Sequence, residues 1–95
     1  MLGKFVVVRA EKAGVFVGIL KEKNGSEVTL TDARKLWYWD GACGVEQLAV
    51  DGTTKPKNCK FTKTVSEICI LGAIQILPCS MEAEISIRGV FEWKN

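Results

Sequence analysis

A chain of 95 residues has the length of one domain, residues 1–95, with no room for a second core. Its 47% apolar and 25% charged composition is that of a folded globular protein and excludes a disordered or low-complexity chain. Thirteen Lys plus Arg against eleven Asp plus Glu leave a net charge of +2, too small for a sequence-blind DNA binder but compatible with a local basic pocket for a small anion.

Met1-Leu2-Gly3 leads directly into Lys4, so no signal peptide is expected. No apolar run approaches the ~18 residues needed to cross a bilayer, and no membrane partner is expected. Cys43, Cys59, Cys69 and Cys79 contain no Cys-x-x-Cys pair, and the chain has no histidine. Structural zinc sites draw ligands from tight knuckles, so four reduced thiols, several acting as small core hydrophobes, are expected instead of a metal site.

In chain order, Lys4–Ala10 (KFVVVRA) is β-branched and aromatic and reads as a strand with Phe5, Val7 and Arg9 on one face. Val6 and Val8 point the other way. After the polar turn Glu11–Gly14, Val15–Lys21 is a second strand interrupted by Gly18, where a bulge, a sharp bend or a close backbone approach is expected. Asn24-Gly25 is a strong hairpin signal leading into Glu27–Thr31, with Val28 and Leu30 inward. Asp32-Ala33 reads as a bend, and Arg34–Trp39 as a fourth strand. Period two would place Trp37 and Trp39 on one of its faces and Leu36 and Tyr38 on the other.

Asp40-Gly41 stops that strand. Val45, Leu48 and Ala49 recur at helical spacing between Gly44 and Gly52, giving a short helix from about Gly44 to Asp51. A polar loop follows, with four lysines between positions 55 and 63. Glu67–Leu71 and Ala73–Leu77 are compact apolar runs around Gly72 and read as buried strands, or one strand bent at the glycine. Ser80–Arg88 alternates like a strand. Ser80 as a cap, Glu82 and Glu84 in the first turn and Gly89 as a stop favour a helix. Val90–Trp93 closes the sheet or packs back on the core. The expected architecture is an α+β domain: a small, strongly bent antiparallel sheet or barrel of four to six strands, with two short helices.

Chemistry concentrates between Arg34 and Gly41. Without histidine there is no imidazole base, and Gly41–Gly44 lacks the lysine and serine of a phosphate loop, so no enzyme, catalytic residue or cofactor is expected. Binding is easier to support. Arg34 and Lys35, with loop lysines Lys57 and Lys60, offer cations for phosphates, and Trp37 and Trp39 offer flat faces for bases. The competing assignment for the two tryptophans is the core itself. Two indoles on one face exceed what a small core absorbs, so a homo-oligomer is also expected.

The pattern Ala33-Arg34, Leu36-Trp37-Tyr38-Trp39, Gly41-Ala42, Gln47-Leu48-Ala49, Lys55-Pro56, Cys59-Lys60-Phe61 and Pro78-Cys79 resembles a family of small tailed-phage and prophage proteins of unknown function. The resemblance implies a viral accessory protein in the cytoplasm of a bacterial host, and supplies no activity or residue role. Combined with the aromatic and basic strand, it leads to the expectation of a non-enzymatic protein that sequesters a nucleotide immune signal, such as a cyclic oligonucleotide, to block antiphage defence. The alternatives are a module that binds and inhibits a host protein, or a single-stranded nucleic-acid binder.

Overall fold

A computed structural model describes residues 1–94. The elements are β1 (Phe5–Ala10), β2 (Gly14–Asn24), β3 (Glu27–Tyr38), α1 (Val45–Asp51), a 3-10 turn at Pro56–Asn58, β4 (Lys60–Phe61), β5 (Val65–Ile70), β6 (Ala73–Pro78) and α2 (Met81–Arg88). The six strands form one antiparallel sheet in the order β4-β3-β2-β1-β6, with β5 also pairing along β3. The sheet is strongly bent and not closed. It is the expected α+β architecture.

The bend has a local cause. Val17 pairs with Arg34 and Ile19 with Thr31, so Gly18 alone faces both Asp32 and Ala33. This is a β-bulge, and Asp32 adopts φ 48, the one positive φ outside glycine among the described residues. A Cβ on Gly18 would lie 2.9 Å from the Thr31 carbonyl oxygen and 3.1 Å from the Ala33 Cα, so only glycine allows the strands to approach this closely. The expected pair of strands, 27–31 and 34–39, is therefore one strand. The bulge absorbs the bend at Asp32-Ala33 without breaking the ladder. Beyond the bend β3 changes partner: Val28–Ala33 pairs with β5, and Leu36 and Tyr38 pair with β4.

Bending gives the sheet two apolar cores. Val6, Val8, Leu20, Val28, Leu30 and Ile70 fill the inside of the curve. Phe5, Val7, Val17, Leu36 and Phe61 face α1 and α2, which contribute Val45, Leu48, Ala49, Ala83 and Ile87. β1 is thus buried on both faces, as its unbroken Phe5–Val8 run requires, and each fully buried side chain of this kind contributes about 1.5–3 kcal/mol. The tip of the β2–β3 hairpin curls over far enough for the Ala73 N–H to donate to the Ser26 carbonyl at 2.9 Å.

The helical reading of 80–88 agrees with the structure. Ser80 Oγ accepts from the Ala83 N–H at 3.0 Å and donates to the Val50 carbonyl at 2.6 Å, so one hydroxyl caps α2 and ties it to the end of α1. Gly52 passes so close to α2 that a Cβ there would lie 2.4 Å from Ser86 Oγ. The segment after α2 packs back: Val90 is buried, and Glu92 forms an isolated parallel bridge with Phe61.

Candidate functional site

The aromatic run at the end of β3 does not follow period two. Leu36 pairs with Phe61 and Tyr38 with Lys60, so Trp37 is an inserted residue and the alternation slips there. Leu36 is buried, while Trp37 and Tyr38 are adjacent and both exposed, at 56% and 49%. Trp39 lies past the strand end and packs against the helix-facing core. The expected division, with Trp37 and Trp39 on one face and Leu36 and Tyr38 on the other, is therefore replaced: Leu36 and Trp39 face the core, and Trp37 and Tyr38 face outward.

Trp37 instead pairs with Trp93. Their rings stack with centroids 5.0 Å apart and planes 13° from parallel. Lys60 Nζ lies 5.2 Å from the centroid of Trp37 and 5.4 Å from that of Trp93. Its place on β4, opposite Tyr38, brings it there. A ring pair of this kind contributes about 0.5–1.5 kcal/mol beyond burial, and an exposed cation over a ring about 0.5–1 kcal/mol. Trp93 also forms one wall of a surface cleft of about 370 Å³ that is shared with Pro56, Lys57, Cys59, Phe91, Glu92 and Lys94. Phe91 on its rim is 84% exposed.

Lys57 is presented by the 3-10 turn, which a network around Asp40 secures. The Asp40 carboxylate accepts from Asn58 Nδ2 at 3.1 Å and from the Gly41 N–H at 2.8 Å. These two bonds, Asn58 first, with Lys55 nearby, hold its pKa below the ordinary 3.8. The Asp40 carbonyl accepts from Thr53 Oγ1, and the Gly41 carbonyl from the Thr54 N–H at 3.3 Å. Gly41, with φ 83, runs so close to this strand of loop that a Cβ would sit 2.6 Å from the Lys55 nitrogen. Buried Cys59 sits behind the turn, its thiol 3.5 Å from the Lys55 carbonyl.

The remaining candidates lie elsewhere. Arg34, expected to face a phosphate, is buried behind the aromatic pair. Its Nε donates to the Thr62 carbonyl at 2.9 Å. Nη1 donates to the carbonyls of Val90 at 2.9 Å and Ile87 at 3.4 Å, and Nη2 to that of Phe61 at 3.4 Å. Burial lowers its pKa and the Glu92 charge opposes this; a guanidinium nonetheless stays charged in a protein. Its charge meets the negative end of α2 and the β4 backbone. Lys35 is half-buried, with Nζ 5.8 Å from the Phe16 ring on β2. Trp37, Lys57 and Lys60 therefore share a site, and Arg34, Lys35 and Trp39 support the fold around it.

The sequence reading missed Trp93. It belongs to no periodic pattern, and the C-terminal segment reaches Trp37 only because Arg34 and Phe61 hold its backbone. A tryptophan beyond the last helix, in a segment expected to close the sheet or pack back on the core, was the one available signal. Among the described residues, no three Cys, Asp or Glu side chains gather as a metal-binding group, and no helix is long and apolar enough to cross a membrane. All four cysteines are free thiols, with Cys43 and Cys69 exposed.

The fold and site define a small α+β protein with an open, bent sheet and a surface platform of two stacked indoles edged by lysines. The chain belongs to a family described as a domain of unknown function, DUF6948, whose model matches residues 3–87. That match includes Trp37, Lys57 and Lys60 and ends before Phe91 and Trp93. No curated protein matches the chain.

Proposed function

We propose that this protein is a non-enzymatic nucleotide-binding module whose site is the Trp37–Trp93 platform with Lys57 and Lys60. One observation carries the reading: a stacked pair of indoles, Trp37 exposed and Trp93 half-buried, with one ammonium group over both rings and a second lysine on the adjoining cleft. A base gains about 1–3 kcal/mol by stacking on such a face, and the lysines suit its phosphates. The cleft volume lies within the ~300–1,000 Å³ range of small-ligand sites. Given the resemblance to phage accessory proteins, the role proposed for this binding is sequestration of a nucleotide immune signal in the bacterial cytoplasm.

Calorimetric titration of the purified protein against cyclic oligonucleotides and ADP-ribose derivatives tests the reading. At least one ligand should bind at micromolar protein, with affinity falling about 10-fold or more in Trp37→Ala. Absence of heat across the whole panel would remove it.

A second reading rests on Phe91 and Tyr38, whose exposed rings extend the same surface. Aromatic clusters of this kind act as hot spots for protein partners. It predicts a single stoichiometric host protein captured from lysate and lost on Trp37→Ala, with no nucleotide bound.

A further inference from the structure

The outer face of the helical layer is a second surface, formed by elements that lend no side chain to the indole platform. Met81 and Ile85 stand four residues apart on α2, one above the other, and are 79% and 68% exposed. Val50 on α1 is 60% exposed. The Ser80 N–H donates to the Ala49 carbonyl at 3.0 Å and its hydroxyl to the Val50 carbonyl, so α1 ends where α2 begins, beside Met81. The core takes none of these three side chains: α1 and α2 bury Val45, Leu48, Ala49, Ala83 and Ile87 instead. Three large apolar groups are thus left open on two adjoining helices.

Charge gives this face a sign opposite to that of the whole chain. The chain is net positive, yet α1 and α2 carry Glu46, Asp51, Glu82 and Glu84 against a single cation, Arg88, and no lysine. Arg88 is already taken by Glu84 at 2.9 Å. Among the described residues no ion pair reaches Glu46, Asp51 or Glu82. Helical spacing puts Glu82 and Glu84 on the two borders of the Met81–Ile85 stripe, and Glu46 one turn before Val50 on the same side of α1. Asp51 follows Val50 in the last turn of α1, where a helix dipole favours a cation. An apolar stripe bordered by carboxylates repels nucleic acid and anionic lipid, and attracts an apolar segment that carries cations.

We propose that this face docks a basic amphipathic helix of a partner protein. The helix lays its apolar side chains over Met81, Ile85 and Val50, and its lysines or arginines reach Glu82, Asp51 and Glu46. Met81 suits the contact, because a flexible thioether adapts to side chains of varied shape. The chain cannot supply this helix from a second copy. Among the described residues its α-helices are the acidic pair themselves, and Lys55, Lys57, Lys60 and Lys63 lie in loop, 3-10 turn and a two-residue strand.

The test uses the full chain and a labelled synthetic helix of about four turns, with leucine on one face and lysine on the other. A leucine/glutamate peptide of the same pattern is the control. Fluorescence anisotropy should show the leucine/lysine peptide binding at micromolar protein, more weakly as salt rises, and the control not binding. Affinity should fall about 10-fold in Met81→Ser/Ile85→Ser and also fall in Glu82→Lys, while Trp37→Ala leaves it unchanged. All these positions are exposed, so each variant should keep the wild-type urea midpoint. No binding of the leucine/lysine peptide, equal binding of the control, or full affinity in the double variant would overturn the proposal. Loss of binding in Trp37→Ala would move the contact to the platform and overturn it as well. So would a wild-type dimer that Met81→Ser/Ile85→Ser dissociates, since a second copy would then cover the face.

Discussion

Arg34 gives the sharpest division between a residue that builds the site and one that touches a ligand. Replacing it with methionine keeps much of the apolar stem and removes the guanidinium, stranding the carbonyls of Thr62, Val90, Ile87 and Phe61. Hydrogen bonds from a charged donor contribute about 1.5–3 kcal/mol each. The two at 2.9 Å thus account for about 3–6 kcal/mol, and the two at 3.4 Å for less. Removing a buried charge returns part of its desolvation cost, which leaves a net loss of about 3 kcal/mol. For a domain of this size that is a fall in Tm of about 12–24 °C. Urea unfolding followed by tryptophan fluorescence measures it directly. Arg34→Lys should recover less than half, since one ammonium group cannot span carbonyls on β4 and beyond α2 together. A loss below about 1 kcal/mol for Arg34→Met, or full rescue by lysine, would refute the structural role. Lost nucleotide affinity at unchanged stability would return Arg34 to the ligand.

Gly18→Ala should destabilise by about 1–3 kcal/mol in the same assay, because the added methyl meets the bulge backbone rather than a movable side chain. Ser80→Ala should cost about 1 kcal/mol through loss of the α2 cap, seen as a lower urea midpoint at unchanged slope. Asp40 has a folded pKa lowered from 3.8, so its carboxylate stabilises the fold above that value, and the contribution is lost as pH falls through the lower folded pKa. Wild type should therefore exceed Asp40→Asn in stability at pH 6, and the gap should close in acid melts below pH 3.8. Burial, helped by Glu84, pushes the Cys79 thiol up to about 12. At pH 8 a thiol reagent followed by mass spectrometry should label exposed Cys43 and Cys69 first, with Cys79 labelled more slowly.

Local chemistry made most of the fold legible. The β-branched run at Phe5–Val8, the Asn24-Gly25 turn, the apolar spacing of Val45, Leu48 and Ala49 and the cap at Ser80 each specify an element through neighbouring residues alone. Gly18 announced a close approach, and the structure supplies its counterpart at Asp32-Ala33. Errors arose where a residue's orientation depends on a distant strand. Alternation from Arg34 to Trp39 fails because two residues of β4 interrupt it, and nothing near Trp37 records that pairing. The same limit hid Trp93, whose partner lies on a different element, and misplaced Arg34. A basic residue next to tryptophans resembles a ligand contact until its four carbonyl partners from separate segments are known.

Those long-range contacts join the core to the platform. Arg34 and Leu36 point into the protein, and Trp37 reaches the surface beside them because β3 gains a residue against β4. Arg34 then holds the Val90 carbonyl, the Phe61 carbonyl accepts from the Trp93 N–H at 2.8 Å, and the backbone between them delivers Trp93 onto Trp37. Two indoles, one on β3 and one beyond α2, are thus stacked by backbone contacts that a buried guanidinium keeps in place. The platform's flat face is preorganised before any ligand arrives, so little side-chain freedom remains to be lost on binding. On the proposed nucleotide-binding role, the buried arginine serves the site from behind, by fixing the indoles that a base would meet.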